Sequence, residues 1–178
     1  MSVYVVRHGQ TDWNKAYLIQ GRIDVPLNQT GVEQAKKTAE NLKNVPLDMI
    51  FVSPLLRARQ TADIINEGRS LPVFVDSRIQ EQYYGRLEGK SRKEEEYLIQ
   101  RQCFFKRYPG GESYLDVAAR VYSFLDEAKE KYRDKNILLV CHGGMSRVIN
   151  TYFEDMGNEE FIAFALDNCE VKKYEFRD

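Results

Sequence analysis

The sequence predicts an α/β fold: three layers, α/β/α, about a mostly parallel sheet that ends in an antiparallel edge strand. Three observations carry that prediction. Residues 3–6, 49–52 and 137–141 are short, nearly unbroken apolar runs, the pattern of strands covered on both faces, and 72–75 looks like a shorter strand. Segments with helical periodicity and recognisable caps separate them, so successive strands should lie parallel with right-handed crossovers. The chain closes on residues 161–176, which read as a short helix and a final edge pairing.

Each element has its own local signal. Val3-Tyr4-Val5-Val6 opens the sheet and runs straight into Arg7-His8-Gly9. A loop over residues 10–29 follows, with Thr11, Asp12, Trp13, Asn14 and Gly21. Thr30-Gly31-Val32-Glu33 has capping-box spacing and predicts a helix over about 31–43, with Ala35, Ala39 and Leu42 inward. Met49-Ile50-Phe51-Val52 is the second strand. Ser53-Pro54 then offers an N-cap and a first-turn proline to a helix reading through Ile65. That helix sets Arg57 in its first turn, at the sheet edge where His8 stands. Residues 76–89 are loop-like and include Glu81 and Glu88. Residues 91–107 read as a charged helical excursion ending at Pro109-Gly110-Gly111. Ser113 with Asp116 caps the next helix, apolar on Leu115, Ala118, Val121, Tyr122, Leu125 and Ala128. The run 137–141 leads through His142-Gly143-Gly144 into a helix to about Phe153.

Composition narrows the function classes. A net charge of −1, from 26 basic and 27 acidic residues, gives no sign of a nucleic-acid or membrane surface. No apolar run is long enough to span a bilayer, and the N-terminus shows no secretory pattern. Cys103, Cys141 and Cys169 are odd in number and lack CxxC spacing, so neither a disulfide framework nor a zinc site is indicated. One cytoplasmic domain over 1–178 is the expectation.

The chemistry concentrates at two strand ends. The chain's two histidines, His8 and His142, each follow a buried-strand run and precede glycine. In an open α/β sheet, ligands bind at the C-terminal ends of strands beside a switch point. Arg7, His8, Arg57 and His142, with Asn14 reaching in, would repel one another around an empty dry spot. A phosphate dianion resolves that conflict through charge-assisted hydrogen bonds, helped by the helix N-terminus after Gly143. A lone histidine after a strand is usually structural; the joint pattern points to a phosphate site.

With these residues the chain resembles the histidine phosphatases, the phosphoglycerate mutase-like superfamily. The resemblance rests on Arg7-His8-Gly9 with Thr11 and Trp13-Asn14, the Gly21…Pro26-Leu27-Asn28…Thr30-Gly31 run, and Ser53 to Ala62 around Arg57. It continues through Glu81…Tyr84-Gly85…Glu88-Gly89, Pro109-Gly110-Gly111-Glu112-Ser113 and His142-Gly143-Gly144. It implies a phosphoglycerate mutase-like fold and a phosphatase for small phosphomonoesters. His8 would be the nucleophile forming phosphohistidine. Arg7, Asn14, Arg57 and His142, with Gly143, would hold the phosphoryl oxygens. Glu81, preferred over the nearby Glu88 on the Glu…Tyr-Gly spacing, would be the general acid and base. Neither metal nor other cofactor is implied, and the partner is a small phosphorylated metabolite. Compact members act on α-ribazole phosphate, sugar phosphates or phosphoserine.

Three other readings stay in play. A mutase would return the phosphoryl group to substrate; the short excursion at 90–112, a lid-like specificity element, still carries Arg92, Lys93, Arg101, Lys106 and Arg107. Cys141 to Arg147 fits the C-x-x-G-x-x-R loop of cysteine phosphatases, with Cys141 as thiolate and Arg147 on phosphate. That reading leaves Arg7-His8-Gly9 and Arg57 unexplained. The third is a non-catalytic sensor of phosphorylated ligands. No G-x-G-x-x-G follows any strand, against a dinucleotide module.

Overall fold

The sheet is built at its centre from the two strands that end in histidine. In a computed structural model describing residues 1–176, β1 (Ser2–Arg7) and β4 (Asn136–Cys141) pair in parallel, Arg7 opposite Cys141. β2 (Met49–Val52) joins the other side of β4 in parallel, β3 (Val73–Val75) extends it, and β5 (Val171–Glu175) pairs antiparallel with β1. The order is β3-β2-β4-β1-β5. The last two residues of the expected 1–178 domain lie outside the described residues.

Alternation along the strands makes the layers. Val3, Val5, Met49, Phe51, Ile137, Leu139 and Cys141 face one side, against α5 (Tyr114–Lys131), α6 (Gly143–Phe153) and α7 (Asn158–Ala163). Val6, Ile50, Val52, Leu138 and Val140 face the other, against α2 (Gln29–Leu42) and α3 (Leu56–Asn66). Neighbouring side chains of one strand thus feed opposite cores, which is why these runs are apolar throughout.

Several local expectations are corrected. The loop at 10–29 contains α1 (Asp12–Lys15), closed by a Thr11–Asn14 capping box. Asn28, not Thr30, caps α2, its side chain accepting the Gly31 N–H at 2.9 Å. Ser53 does not cap α3. Its helix starts at Leu56, whose N–H goes to Asp24 Oδ1 at 2.7 Å, a cap supplied from a distant loop. The inward face of α5 is turned toward Tyr114, Val117 and Phe124, leaving Leu115 59% exposed.

The excursion is mostly turns, with α4 (Glu95–Gln100) its single helix. Its start is tied down instead: Arg92 N–H donates to Tyr17 O at 2.8 Å and Ile19 N–H to Lys90 O at 2.9 Å. Gln100 Nε2 then closes the far turn on Lys106 O at 2.8 Å. Residues held by those cross-chain bonds are not free to continue a helix.

Candidate active site

The adjacency of β1 and β4 places His8 beside His142, with ring centroids 5.1 Å apart. Both are buried. A cavity of about 70 Å³ opens at these strand ends, lined by Arg7, His8, Asn14, Arg57, Glu81 and Gly143 among others. Six of the expected site residues therefore meet in one place. His142 does not reach the wall. Next to His8, it keeps its Nδ1 buried and unpartnered.

The His8 tautomer follows from its neighbours. Nδ1 lies 2.7 Å from the Gly9 carbonyl, which can only accept, so Nδ1 carries the proton. Nε2 then holds the lone pair and accepts from Arg57 Nε at 3.2 Å. Burial, followed by the charges of Arg57 and Arg7, holds the imidazole well below its ordinary pKa. His142 is depressed likewise, by burial and then by Arg57 and His8. Its Nε2 is 2.7 Å from Ser53 Oγ, which explains why that serine is unavailable as a helix cap.

The arginines are positioned by backbone carbonyls. Arg57 Nη1 and Nη2 donate to Ile23 O at 3.0 Å and Gly21 O at 2.7 Å, and burial pulls its pKa down to about 10. Arg7 Nη1 donates to Leu166 O at 2.7 Å while its buried Nε has no partner. Two further arginines grip the same stretch: Arg147 Nε donates to Phe164 O at 2.8 Å and Arg101 Nη2 to Ile162 O at 2.6 Å. Three arginines from three elements thus take alternate carbonyls of residues 162–166. Asn14 is held by its Oδ1, which accepts from Thr11 N–H at 3.1 Å, leaving Nδ2 buried and unpartnered.

The two candidate acids separate cleanly. Glu81 is in the cavity wall, its carboxylate accepting Gln82 N–H at 2.9 Å and Gly144 N–H at 3.2 Å. So close is Gly144 that a Cβ there would collide with the Glu81 carboxylate. The Gly144 N–H at the start of α6 is thus engaged by Glu81. Glu88 lies outside that wall and ties a loop, accepting Arg22 N–H at 2.9 Å and Tyr84 N–H at 3.2 Å.

Cys141 gives the cysteine reading no thiolate. Its side chain belongs to the sheet core under α5 and α6, and burial pushes the thiol far up. Arg147 does line the cavity, without that cysteine, and so do Arg92, Tyr84, Tyr97 and Gln20. None of these five follows from the histidine pattern at the strand ends. Arg147 comes five positions after His142, just over one helical turn into α6, a spacing that could have suggested it. Arg92 had only its membership of a basic excursion. Tyr83 and Phe105 are exposed and do not line this cavity. Among the described residues no group of three or more His, Cys, Asp or Glu could hold a metal ion, and no helix is long and apolar enough to cross a membrane.

Fold and crevice define an α/β protein with its candidate site at the C-terminal edge of a mostly parallel sheet. The chain belongs to the histidine phosphatase superfamily, branch 1, whose family model matches residues 3–178. This is a superfamily of phosphatases and mutases acting on small phosphorylated substrates. The "Uncharacterized phosphatase PhoE" of Bacillus subtilis is 35% identical over 177 residues, 99% of this chain and 89% of the relative. A 2,3-bisphosphoglycerate-dependent phosphoglycerate mutase of Chlamydia muridarum is 29% identical, covering 98% of this chain and 93% of its own. Among solved structures, the α-ribazole phosphatase of Shigella flexneri superposes with a TM-score of 0.88 at 27% identity, over 99% of this chain and 91% of that one.

Proposed function

We propose that the chain hydrolyses small phosphomonoesters through a phosphohistidine on His8, without a metal. The observation that carries this is the tautomer lock. With its proton committed to Gly9, His8 turns Nε2 to a cationic cavity, where its lone pair accepts from Arg57 Nε at 3.2 Å until that N–H moves to a phosphoryl oxygen. Attack by Nε2 on phosphorus breaks the ester P–O bond as Glu81, in its acid form, protonates the departing oxygen. Glu81 then takes a proton from the water that attacks the phosphohistidine, and free phosphate leaves. Arg7, Arg57 and Asn14 hold the equatorial oxygens, and His142, next to His8, keeps an unpartnered Nδ1 for one of them. Charge stabilisation of this kind, with the parts fixed beforehand, is what phosphoryl transfer requires.

The test is a rapid quench with a ³²P-labelled phosphomonoester in the presence of chelator. An acid-labile, base-stable label on wild type, missing from His8→Ala, is expected. Turnover that collapses under chelator and returns with a divalent cation overturns the metal-free route. Phosphoryl transfer to a second hydroxylated substrate in preference to water would make the chain a mutase. Tight ligand binding with no label and no turnover over a broad ester panel would make it a sensor. Cys141→Ser should retain activity.

A further inference from the structure

The two histidines have their tautomers set by partners of different kinds. A neutral imidazole has one N–H to place, and the partner of one ring nitrogen decides what the other can do. For His8 that partner is the Gly9 carbonyl, which can only accept. For His142 it is Ser53 Oγ, 2.7 Å from Nε2, and a hydroxyl can either give or take. His142 is fully buried, and burial, then the charge of Arg57, keeps it neutral. The direction of the Ser53 bond therefore decides whether Nδ1 is a donor or a bare lone pair.

The surroundings of Ser53 fix that direction. β2 runs parallel to β4 with Val52 opposite Val140, and the Ser53 N–H donates to Val140 O at 3.1 Å. The serine is thereby held beside the end of the strand that leads into His142. Its buried Oγ also accepts the Leu55 N–H at 3.4 Å. Among the described residues His142 Nε2 is the one acceptor bonded to its hydroxyl. With the hydroxyl proton in that bond, Oγ gives once and receives once. In the opposite tautomer Nε2–H and the Leu55 N–H would both point at Oγ, and the serine proton would have no acceptor. Nδ1 would then be a buried lone pair without a donor. Folded proteins rarely leave so many buried polar groups unmatched.

We propose that Ser53 is a positioning residue: its hydroxyl donates to His142 Nε2 and so holds the imidazole in the Nδ1–H form, a neutral donor for a phosphoryl oxygen received next to His8. The inference rests on the phosphatase reading above and adds the residue that sets its second histidine. One tautomer then serves two opposite ends. His8, bonded through Nδ1–H, keeps the Nε2 lone pair for phosphorus, and His142, bonded through Nε2, keeps Nδ1–H for oxygen. A donor fixed beforehand meets the charge that builds on those oxygens without any proton changing hands.

His8 and His142 are the chain's only histidines, which makes the test direct. In protein labelled with ¹⁵N-histidine, two-bond ¹H–¹⁵N spectra read which ring nitrogen carries the proton, and His8→Ala assigns the two sets of signals. Wild-type His142 should show a protonated Nδ1 and a bare Nε2. Ser53→Ala should turn it to Nε2–H or a mixture while His8 keeps its form. Its kcat/KM on a phosphomonoester should fall about 10- to 100-fold, the range for a hydrogen bond to a charged group. Ser53→Thr, which keeps the O–H, should restore both. Any other form of wild-type His142, or Ser53→Ala with tautomer or kcat/KM unchanged, overturns the proposal. So does a folded Ser53→Thr that behaves like the alanine variant. Should the variants misfold, the wild-type spectrum decides by itself. If the phosphatase reading fails instead, no ester turns over, yet the spectra still read the tautomer and orthovanadate affinity takes the place of kcat/KM.

Discussion

Arginine occurs in this molecule under two regimes. On the flank of α5, Arg78 reaches Asp76 at 2.6 Å and Glu127 at 2.7 Å, and Arg120 reaches Glu112 at 3.1 Å. Those guanidiniums are neutralised by carboxylates, Arg120 also donating to the Arg78 and Gln80 carbonyls, and Arg78 is driven up in pKa by its hydrogen bond to Asp76. At the strand ends the arginines are more deeply buried yet are held by carbonyl oxygens, and burial drives Arg57 down to about 10. A carbonyl orients a guanidinium without neutralising it. The same residue is neutralised where a carboxylate meets it and keeps its charge where none does. The cavity pays in stability for a charge that an incoming anion offsets, so phosphate should raise Tm with concentration.

The sharpest way to break that comparison is at the strand ends. His8→Ala should lower kcat/KM by on the order of 10⁴–10⁶-fold, as for loss of other nucleophiles, while circular dichroism stays native. Glu81→Gln should cost about 10²–10⁴-fold, and less with a leaving group such as p-nitrophenolate that needs no proton. Gly144→Ala pushes the Glu81 carboxylate from its place, and a displacement near 1 Å costs about 10²-fold in steady-state assays.

Stability against pH gives a smaller, thermodynamic contrast. His8 and His142 have folded pKa values well below 6.5, so below that pH the unfolded chain binds protons that the folded chain refuses. Their contribution is complete above about pH 6.5 and is lost as pH falls, by up to about 1.4 kcal/mol per pH unit for each histidine. Urea melts between pH 7.5 and 5 should show it, with a shallower slope in His142→Asn. At the bottom of the scale, Arg107→Ala breaks the exposed pair with Asp116 and should leave both Tm and activity unchanged.

What the sequence made legible follows the same division. The three inner strands and the helices between them carry their own periodicity, so the layers could be read directly, while β3 is an exposed edge strand. Arg7-His8 and His142 were readable because each continues a strand, and parallel pairing of β1 with β4 brings strand ends together. Asp24 as the cap of α3 was not readable, because the loop holding it comes near Leu56 only in the folded chain. Arg147 was drawn into a cysteine pattern whose cysteine faces the core, since strand alternation decides which side chain turns to the crevice and linear spacing does not. The excursion looked helical from its charges, yet its start is set by bonds to residues 17–19, more than seventy positions earlier.

The grip of Arg7, Arg101 and Arg147 on alternate carbonyls between 162 and 166 has a consequence away from the crevice. The end of α7 and the main chain just after it are a common anchor for the first strand, the excursion and α6, so steadying Arg7 or Arg147 with an anion should steady that stretch as well. Amide hydrogen exchange around residues 158–169 then becomes a remote gauge of occupancy, slowing as the crevice fills.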